Sequence, residues 1–157
     1  MANVEFEDFG LKVRDTMNQL LRIALDEVGA EIESQAARNT RVSSGETKRQ
    51  WYHEVKQNAE EASVTIGNPS QNAIWEEFGT GEYALNGDGR KGGWYIFADS
   101  APELAKYNMK TVTGKDGKKF YFTKGKQPTR AFYKAWEQNK AQVREHLEEV
   151  LKELNKE

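Results

Sequence analysis

The sequence predicts an α+β fold, and three observations predict it. A helical apolar period runs from about Phe9 to Ala37, a second runs from about Arg130 to Leu154, and between them lie short alternating or aromatic runs of strand length. Helical patterns at the chain ends with strand patterns grouped between them mark an α+β domain, because repeated βαβ units would alternate the two. The expected arrangement is long N-terminal and C-terminal helices packed together on a small, mostly antiparallel sheet. Its strands are expected near 47–57, 61–67, 94–97 and 119–123, with extended flexible segments at about 82–93 and 98–118.

In the first helix, Val13, Met17, Leu20, Leu21, Ala24, Leu25, Val28, Ile32 and Ala36 recur at spacings of three and four, with charged residues on the opposite face. Gly29 weakens that helix by about 1 kcal/mol relative to Ala. Asn39-Thr40 begin the exit and Ser43-Ser44-Gly45 complete it. Trp51, His53 and Val55 then alternate with Tyr52, Glu54 and Lys56, and Ala62, Val64 and Ile66 alternate with Ser63, Thr65 and Gly67. Asn58 to Glu61 form the expected hairpin loop, and Asn68-Pro69-Ser70 break the second strand.

Next comes the most concentrated apolar stretch, Ala73-Ile74-Trp75-Glu76-Glu77-Phe78, which ends abruptly on Gly79-Thr80-Gly81. Ser70 is placed to cap a short helix carrying Ile74, Trp75 and Phe78 on one face, with Gly79 at its C-terminal end. The alternation of Ile74, Glu76 and Phe78 leaves a strand open as a second reading. Asn86-Gly87-Asp88-Gly89 and Gly92-Gly93 hold no regular element. Trp94 to Phe97 and Lys119 to Thr123 read as strands, and the polar segment between them offers only a helical turn at Pro102 to Tyr107. Thr129 is the expected cap of the last helix, whose stripe is Phe132, Trp136, Val143, Leu147, Val150, Leu151 and Leu154.

A chain of 157 residues suggests one domain, spanning 1–157, with roughly two-thirds of its unfolded surface buried at this size. Charged residues make up 31% and apolar residues 37%, yet four Trp, six Tyr and seven Phe are too many for a disordered chain. A net charge of −2 does not announce a nucleic-acid binder. With no cysteine, a disulfide framework, a thiol nucleophile and a thiolate metal site are all excluded. The N-terminal residues carry no basic apolar leader and no run approaches 18 apolar residues, so neither a signal peptide nor a membrane span is expected.

Little in the sequence points to catalysis. His53 sits in a strand pattern and His146 in a charged helix, and neither has acids at ligand spacing. Glu76 and Glu77 are adjacent, so they point apart and make poor partners for paired-carboxylate chemistry. One of them is expected to bridge to a basic residue. Gly87 to Gly93 lacks the Gly-Lys-Ser/Thr ending of a phosphate loop and reads as a flexible arm. No catalytic, cofactor or metal residue is assigned. The one local electrostatic signal runs from Ala105 to Lys126, where Lys106, Lys110, Lys115, Lys118, Lys119, Lys124 and Lys126 face a single acid, Asp116. Tyr107, Phe120, Tyr121 and Phe122 are interleaved, a combination that suits a phosphate backbone or an acidic partner surface. The plainer reading is a solvated hairpin whose rings enter the core.

The order of motifs resembles a known family. A long helix leads to Asn39-Thr40-Arg41-Val42-Ser43-Ser44-Gly45 and a hairpin. Ala73-Ile74-Trp75-Glu76-Glu77-Phe78-Gly79-Thr80 follows, and after an aromatic region Gln127-Pro128-Thr129-Arg130-Ala131-Phe132 opens a charged helix. This order is similar to that of the tailed-phage neck and tail-completion proteins of the HK97 gp10-like family, over roughly residues 20–151. Glu77, Phe78, Gly79 and Thr80 carry the most specific piece, supported by Pro128, Ala131 and Phe132. The family usually shows a Pro and an Asp-Thr-Gly turn where this chain has Arg41 and Ser43-Ser44-Gly45; serine makes the same local backbone bonds more weakly.

The resemblance implies a structural, non-enzymatic virion protein at the head–tail junction of a phage or a prophage-derived tail, present in the host cytoplasm during assembly. It implies a ring, six-fold, around the DNA path, and neighbours among the head-completion or connector proteins and the tail terminator or tail tube proteins. No membrane partner is implied. Lys110, Lys115, Lys118, Lys119, Lys124 and Lys126 are the residues expected to meet non-specific genomic DNA or a protein partner, and a nucleic-acid-binding module using Lys106 to Lys126 is the alternative function.

Overall fold

The computed structural model describes the backbone of residues 2–42, 45–58 and 61–155, and the side chains of the same set from residue 14 onward. It is an α+β structure that divides into two compact units, one formed by Met1–Ser70 with Ala131–Glu157 and the other by Gln71–Arg130. The expected Ser43-Ser44 turn and residues 59 and 60 of the expected hairpin loop lie outside the described residues.

The first unit is built on α1 (Ala2–Asn39) and α4 (Ala131–Leu154), with a short helix α2 (Glu46–Arg49) and the hairpin β1 (Tyr52–Gln57) and β2 (Ala62–Gly67). The backbone of α1 is helical from Ala2, seven residues before the apolar period begins. Ala24, Leu25, Val28, Ile32 and Ala36 form its buried face. Met17 and Leu20 of the expected stripe are exposed and Leu21 is half-buried, so among the described residues the stripe is fully buried only from Ala24 onward.

Two alanines set the approach of α1 and α4. Ala36 and Ala135 are wholly buried in the core with Val28 and Ile32, and side chains that small let two helix backbones come close. The helices run antiparallel: Asn39 Nδ2 donates to the carbonyl of Ala131 at 3.2 Å, and His146 reaches Glu27 two-thirds of the way along. Trp51, Val64, Ile66, Phe132, Val143 and Leu147 close around the core, with Trp51 and Phe132 stacked at 6.2 Å. Thr40 ends α1 as expected. Its hydroxyl donates to the carbonyl of Ala36 at 2.8 Å and accepts the Trp51 indole N–H at 2.8 Å.

The hairpin is antiparallel with Val55 opposite Val64 and His53 opposite Ile66. His53, Val55 and Gln57 are half-buried with Ala62, Val64 and Ile66, while Tyr52, Glu54, Lys56, Ser63 and Thr65 face outward. The strand expected near 47–57 begins only at Tyr52, because Glu46–Arg49 wind into α2 after Gly45.

In the second unit, α3 (Gln71–Phe78) and a 3-10 turn at Gly81–Tyr83 precede a three-stranded antiparallel sheet of β3 (Trp94–Phe97), β4 (Thr111–Thr113) and β5 (Lys119–Thr123), in the order β3-β5-β4. The single sheet expected from the sequence is therefore two sheets. β2 runs into Asn68-Pro69, where proline offers no ladder donor, and β3 takes β5 as its partner. The helical reading of 71–78 holds over the strand alternative. The expected turn at Pro102–Tyr107 is 3-10 helix, preceded by another at Ala98–Ser100. β4 lies inside the segment expected to hold no strand. The Glu82–Gly93 excursion is tied back by Leu85 N–H to the Phe78 carbonyl at 2.9 Å and Gly92 N–H to Glu82 Oε1 at 3.2 Å.

Candidate functional site

The residues singled out by the motif Glu77-Phe78-Gly79-Thr80 meet those around Pro128 in one corner of the second unit. α3 stops because Gly79 takes a left-handed conformation, φ 74°, and its N–H caps the Trp75 carbonyl at 2.9 Å. Space adds a second demand for glycine. A Cβ there would lie 2.6 Å from the Tyr83 carbonyl oxygen and 2.9 Å from Pro128 Cδ. Thr80 pairs with Lys126 through both backbone and side chain: its N–H donates to the Lys126 carbonyl at 2.9 Å, and its hydroxyl accepts the Lys126 N–H at 2.9 Å.

Glu76 pins the same corner from inside. It is buried, and its carboxylate accepts the Thr129 hydroxyl at 2.5 Å and pairs with Lys126 Nζ. Its backbone carbonyl accepts the N–H groups of Thr129 at 2.6 Å and Arg130 at 3.1 Å. A buried carboxylate needs such partners, since stripping water from a charge is costly unless hydrogen bonds replace it. Thr129 is thus spent on Glu76, which corrects its expected role as the cap of α4. The last helix begins instead at Ala131, after Arg130 in a left-handed conformation, φ 56°.

With Glu76 turned inward, α3 presents its apolar residues outward. Ile74 is 61% exposed, Trp75 42% and Phe78 48%. The apolar face expected of this helix therefore lies at the surface, with Phe78 three residues beyond Trp75 and four beyond Ile74, the spacings that share a helix face. Glu77 is half-buried beside them. On α4, Ala131 is buried and Phe132 stacks on Trp51, while Trp136 and Leu151 are exposed along a shallow groove that Lys140, Arg144 and Glu148 border.

The lysines divide. Lys126 is held by Glu76, Lys124 pairs with Glu82 at 3.3 Å, and Lys118 lies 3.5 Å from Asp116. Lys110, Lys115 and Lys119 are exposed on the sheet and its β4–β5 turn, and Lys118 Nζ also sits 5.8 Å from the Phe97 ring centre.

The two histidines have structural surroundings. The His53 ring lies against Gly29, with Nδ1 2.5 Å from Glu33 Oε2 and Nε2 3.2 Å from Asp26 Oδ1. The bond to Glu33 pushes its pKa above the ordinary value; burial opposes this in part, and Asp26 adds to it. His146 Nε2 is 3.1 Å from Glu27 Oε2 in a cleft shared with Glu31, Asn139 and Gln142, but out of line for a hydrogen bond. Among the described residues, no three His, Cys, Asp or Glu side chains are grouped to hold a metal ion, and no helix is long and apolar enough to cross a membrane.

The Glu76–Thr129–Lys126 corner was not visible in the sequence, because its partners are about fifty residues apart. Compared with family models, with curated proteins and with solved structures, the chain gives no match.

Proposed function

We propose that this protein is a structural subunit of a phage or prophage-derived head–tail junction, completing or joining the tail as a ring of copies around the DNA path. The observation that carries the reading is the outward apolar face of α3, Ile74, Trp75 and Phe78, on a helix whose one buried carboxylate anchors it from behind. Three adjoining large apolar side chains on a rigid, pinned helix are what a protein contact needs. The surrounding corner includes Gly79, Thr80 and Pro128, three of the residues that carry the family resemblance.

Charge supports a head-to-tail association. Residues 71–130 hold ten Lys and Arg against seven Asp and Glu, while the remainder of the chain holds thirteen against eighteen. A basic unit and an acidic one in the same chain favour a heterologous contact, in which one patch meets a different patch on the next copy, and such contacts form a ring where the rotation between copies closes. Trp136 and Leu151 on α4 offer a second apolar surface for that purpose.

The test has two arms. Sedimentation of the purified chain, alone and with connector and tail components, is expected to show a closed oligomer that Trp75→Ala with Phe78→Ala abolishes. Particles assembled without the gene are expected to lack tails or leak DNA. Infectious particles of normal form from the deletion strain would end the proposal.

A further inference from the structure

The three-stranded sheet has one face made almost entirely of rings. The register sets Tyr95 opposite Phe122, Phe97 opposite Phe120, and Val112 opposite Phe120. Since side chains alternate across a sheet, these five residues share one side. The other side carries Trp94, Ile96 and Tyr121. On the ring face, Tyr95 and Phe122 are 5.2 Å apart and Phe97 and Phe120 5.5 Å apart, both pairs tilted. Tyr95 is 60% exposed, Val112 is exposed, and the three phenylalanines are half-buried.

Cations border that face. Lys118 has the same parity as Phe120 and holds its ammonium over the Phe97 ring. Lys110 precedes β4, and its carbonyl accepts the Phe122 N–H at 2.9 Å, which continues the register and sets Lys110 on the side of Phe122 and Val112. Lys115 projects from the β4–β5 turn. The only acid between Ala105 and Lys126 is Asp116, 3.5 Å from Lys118, and among the described residues Lys110 and Lys115 form no ion pair.

We propose that this face binds a single strand of nucleic acid, its bases laid on Tyr95, Phe97, Phe120 and Phe122 and its phosphates met by Lys110, Lys115 and Lys118. Two features choose this occupant. Bordering lysines select an anion, and a phosphate backbone supplies one at every step. An exposed tyrosine continued by three half-buried phenylalanine rings selects unpaired bases, which stack on aromatic side chains whatever their identity. A duplex offers phosphates but hides its base faces, and an acidic protein surface would leave the rings unmatched. Ring stacking and phosphate contacts read no base edge, so binding is indifferent to sequence. This inference is independent of the head–tail proposal, since it concerns a different face.

The experiment is fluorescence anisotropy of a labelled oligothymidylate of about 20 nucleotides with the full chain, titrated between about 50 and 200 mM salt. Tyr95→Ala is expected to weaken binding by about 5- to 100-fold, while Tyr95→Phe, which keeps the ring, retains it. Lys110→Gln with Lys118→Gln is expected to lower the slope of log affinity against log salt by about 1.4, the contribution of two phosphates on a single strand. No binding at the lowest salt would overturn the proposal. So would displacement by polyglutamate as effective as by unlabelled strand, which would make the face a dock for acidic protein. Duplex bound as tightly as single strand, with Tyr95→Ala silent, would overturn it as well.

Discussion

Gly29→Ala offers a sharp test of how the hairpin sits on α1, because two physical effects of opposite sign compete there. In an exposed helix interior this change stabilises by about 1 kcal/mol, since alanine loses less backbone freedom than glycine. Here the new methyl would lie 2.7 Å from His53 Cδ2 and 2.8 Å from Val64 Cγ2, both closer than carbon atoms approach. Restoring ordinary contact requires a displacement of about 1 Å. A packed site resists that at about 1–3 kcal/mol. Moving the His53 ring also disturbs its bonds to Glu33 at 2.5 Å and Asp26 at 3.2 Å. Crowding wins, and a net destabilisation of up to about 2 kcal/mol is expected. Urea unfolding followed by helical circular dichroism measures it, as a lower midpoint at unchanged slope. In a His53→Ala, Val64→Ala background the obstruction is gone, and Gly29→Ala should recover the gain of about 1 kcal/mol. A rise in stability in the otherwise wild-type chain would refute the packing of β1 and β2 on α1.

The remaining predictions follow from single contacts. The bond to Glu33 raises the His53 pKa above 6.5, so the stability it contributes is complete below about pH 6.5 and is lost as pH rises through the folded value; the stability difference between wild type and His53→Gln should shrink from pH 5.5 to 8.5, and a constant difference would contradict the assignment. Ile32→Ala removes a side chain that is 1% exposed, and a loss of about 2–5 kcal/mol is expected in the same assay. Glu76→Ala leaves Thr129 and Lys126 without their acceptor and should destabilise by about 1.5–3 kcal/mol, read by hydrogen exchange at the Thr80 and Thr129 amides. Phe78→Ala, at a half-exposed ring, should change monomer stability by about 0.5 kcal/mol; a sedimentation profile identical to wild type would remove it from the proposed contact.

The long helices were legible because their apolar residues recur at a helical period over many turns, and the first hairpin because its alternation is clean on both strands. β4 was not read, although Thr111-Val112-Thr113 are β-branched or strand-favouring and Gly114-Lys115-Asp116-Gly117 form its turn, with Gly114 N–H bonded to the Lys118 carbonyl at 2.8 Å. Three residues are too few for a period to show, and the lysines around them read as solvated loop. The division into two sheets was hidden for another reason. Strand patterns reveal which residues alternate, and pairing is decided by contacts far apart in sequence. The site followed the same rule. Glu76 was legible as an acid in want of a base, and its partners were not. Phe78 and Trp75 have the composition of core residues, and composition alone cannot tell a buried ring from one that faces outward on a helix.

The first unit is assembled from both ends of the chain, with residues 71–130 inserted between its parts. On the ribosome, α1 and the first hairpin emerge long before the helix that completes their core, and the inserted unit is finished while they wait. Ala36 has no Ala135 to meet until α4 has left the exit tunnel. A nascent chain arrested before that point exposes a naked apolar stripe to chaperones, and one arrested just after it does not.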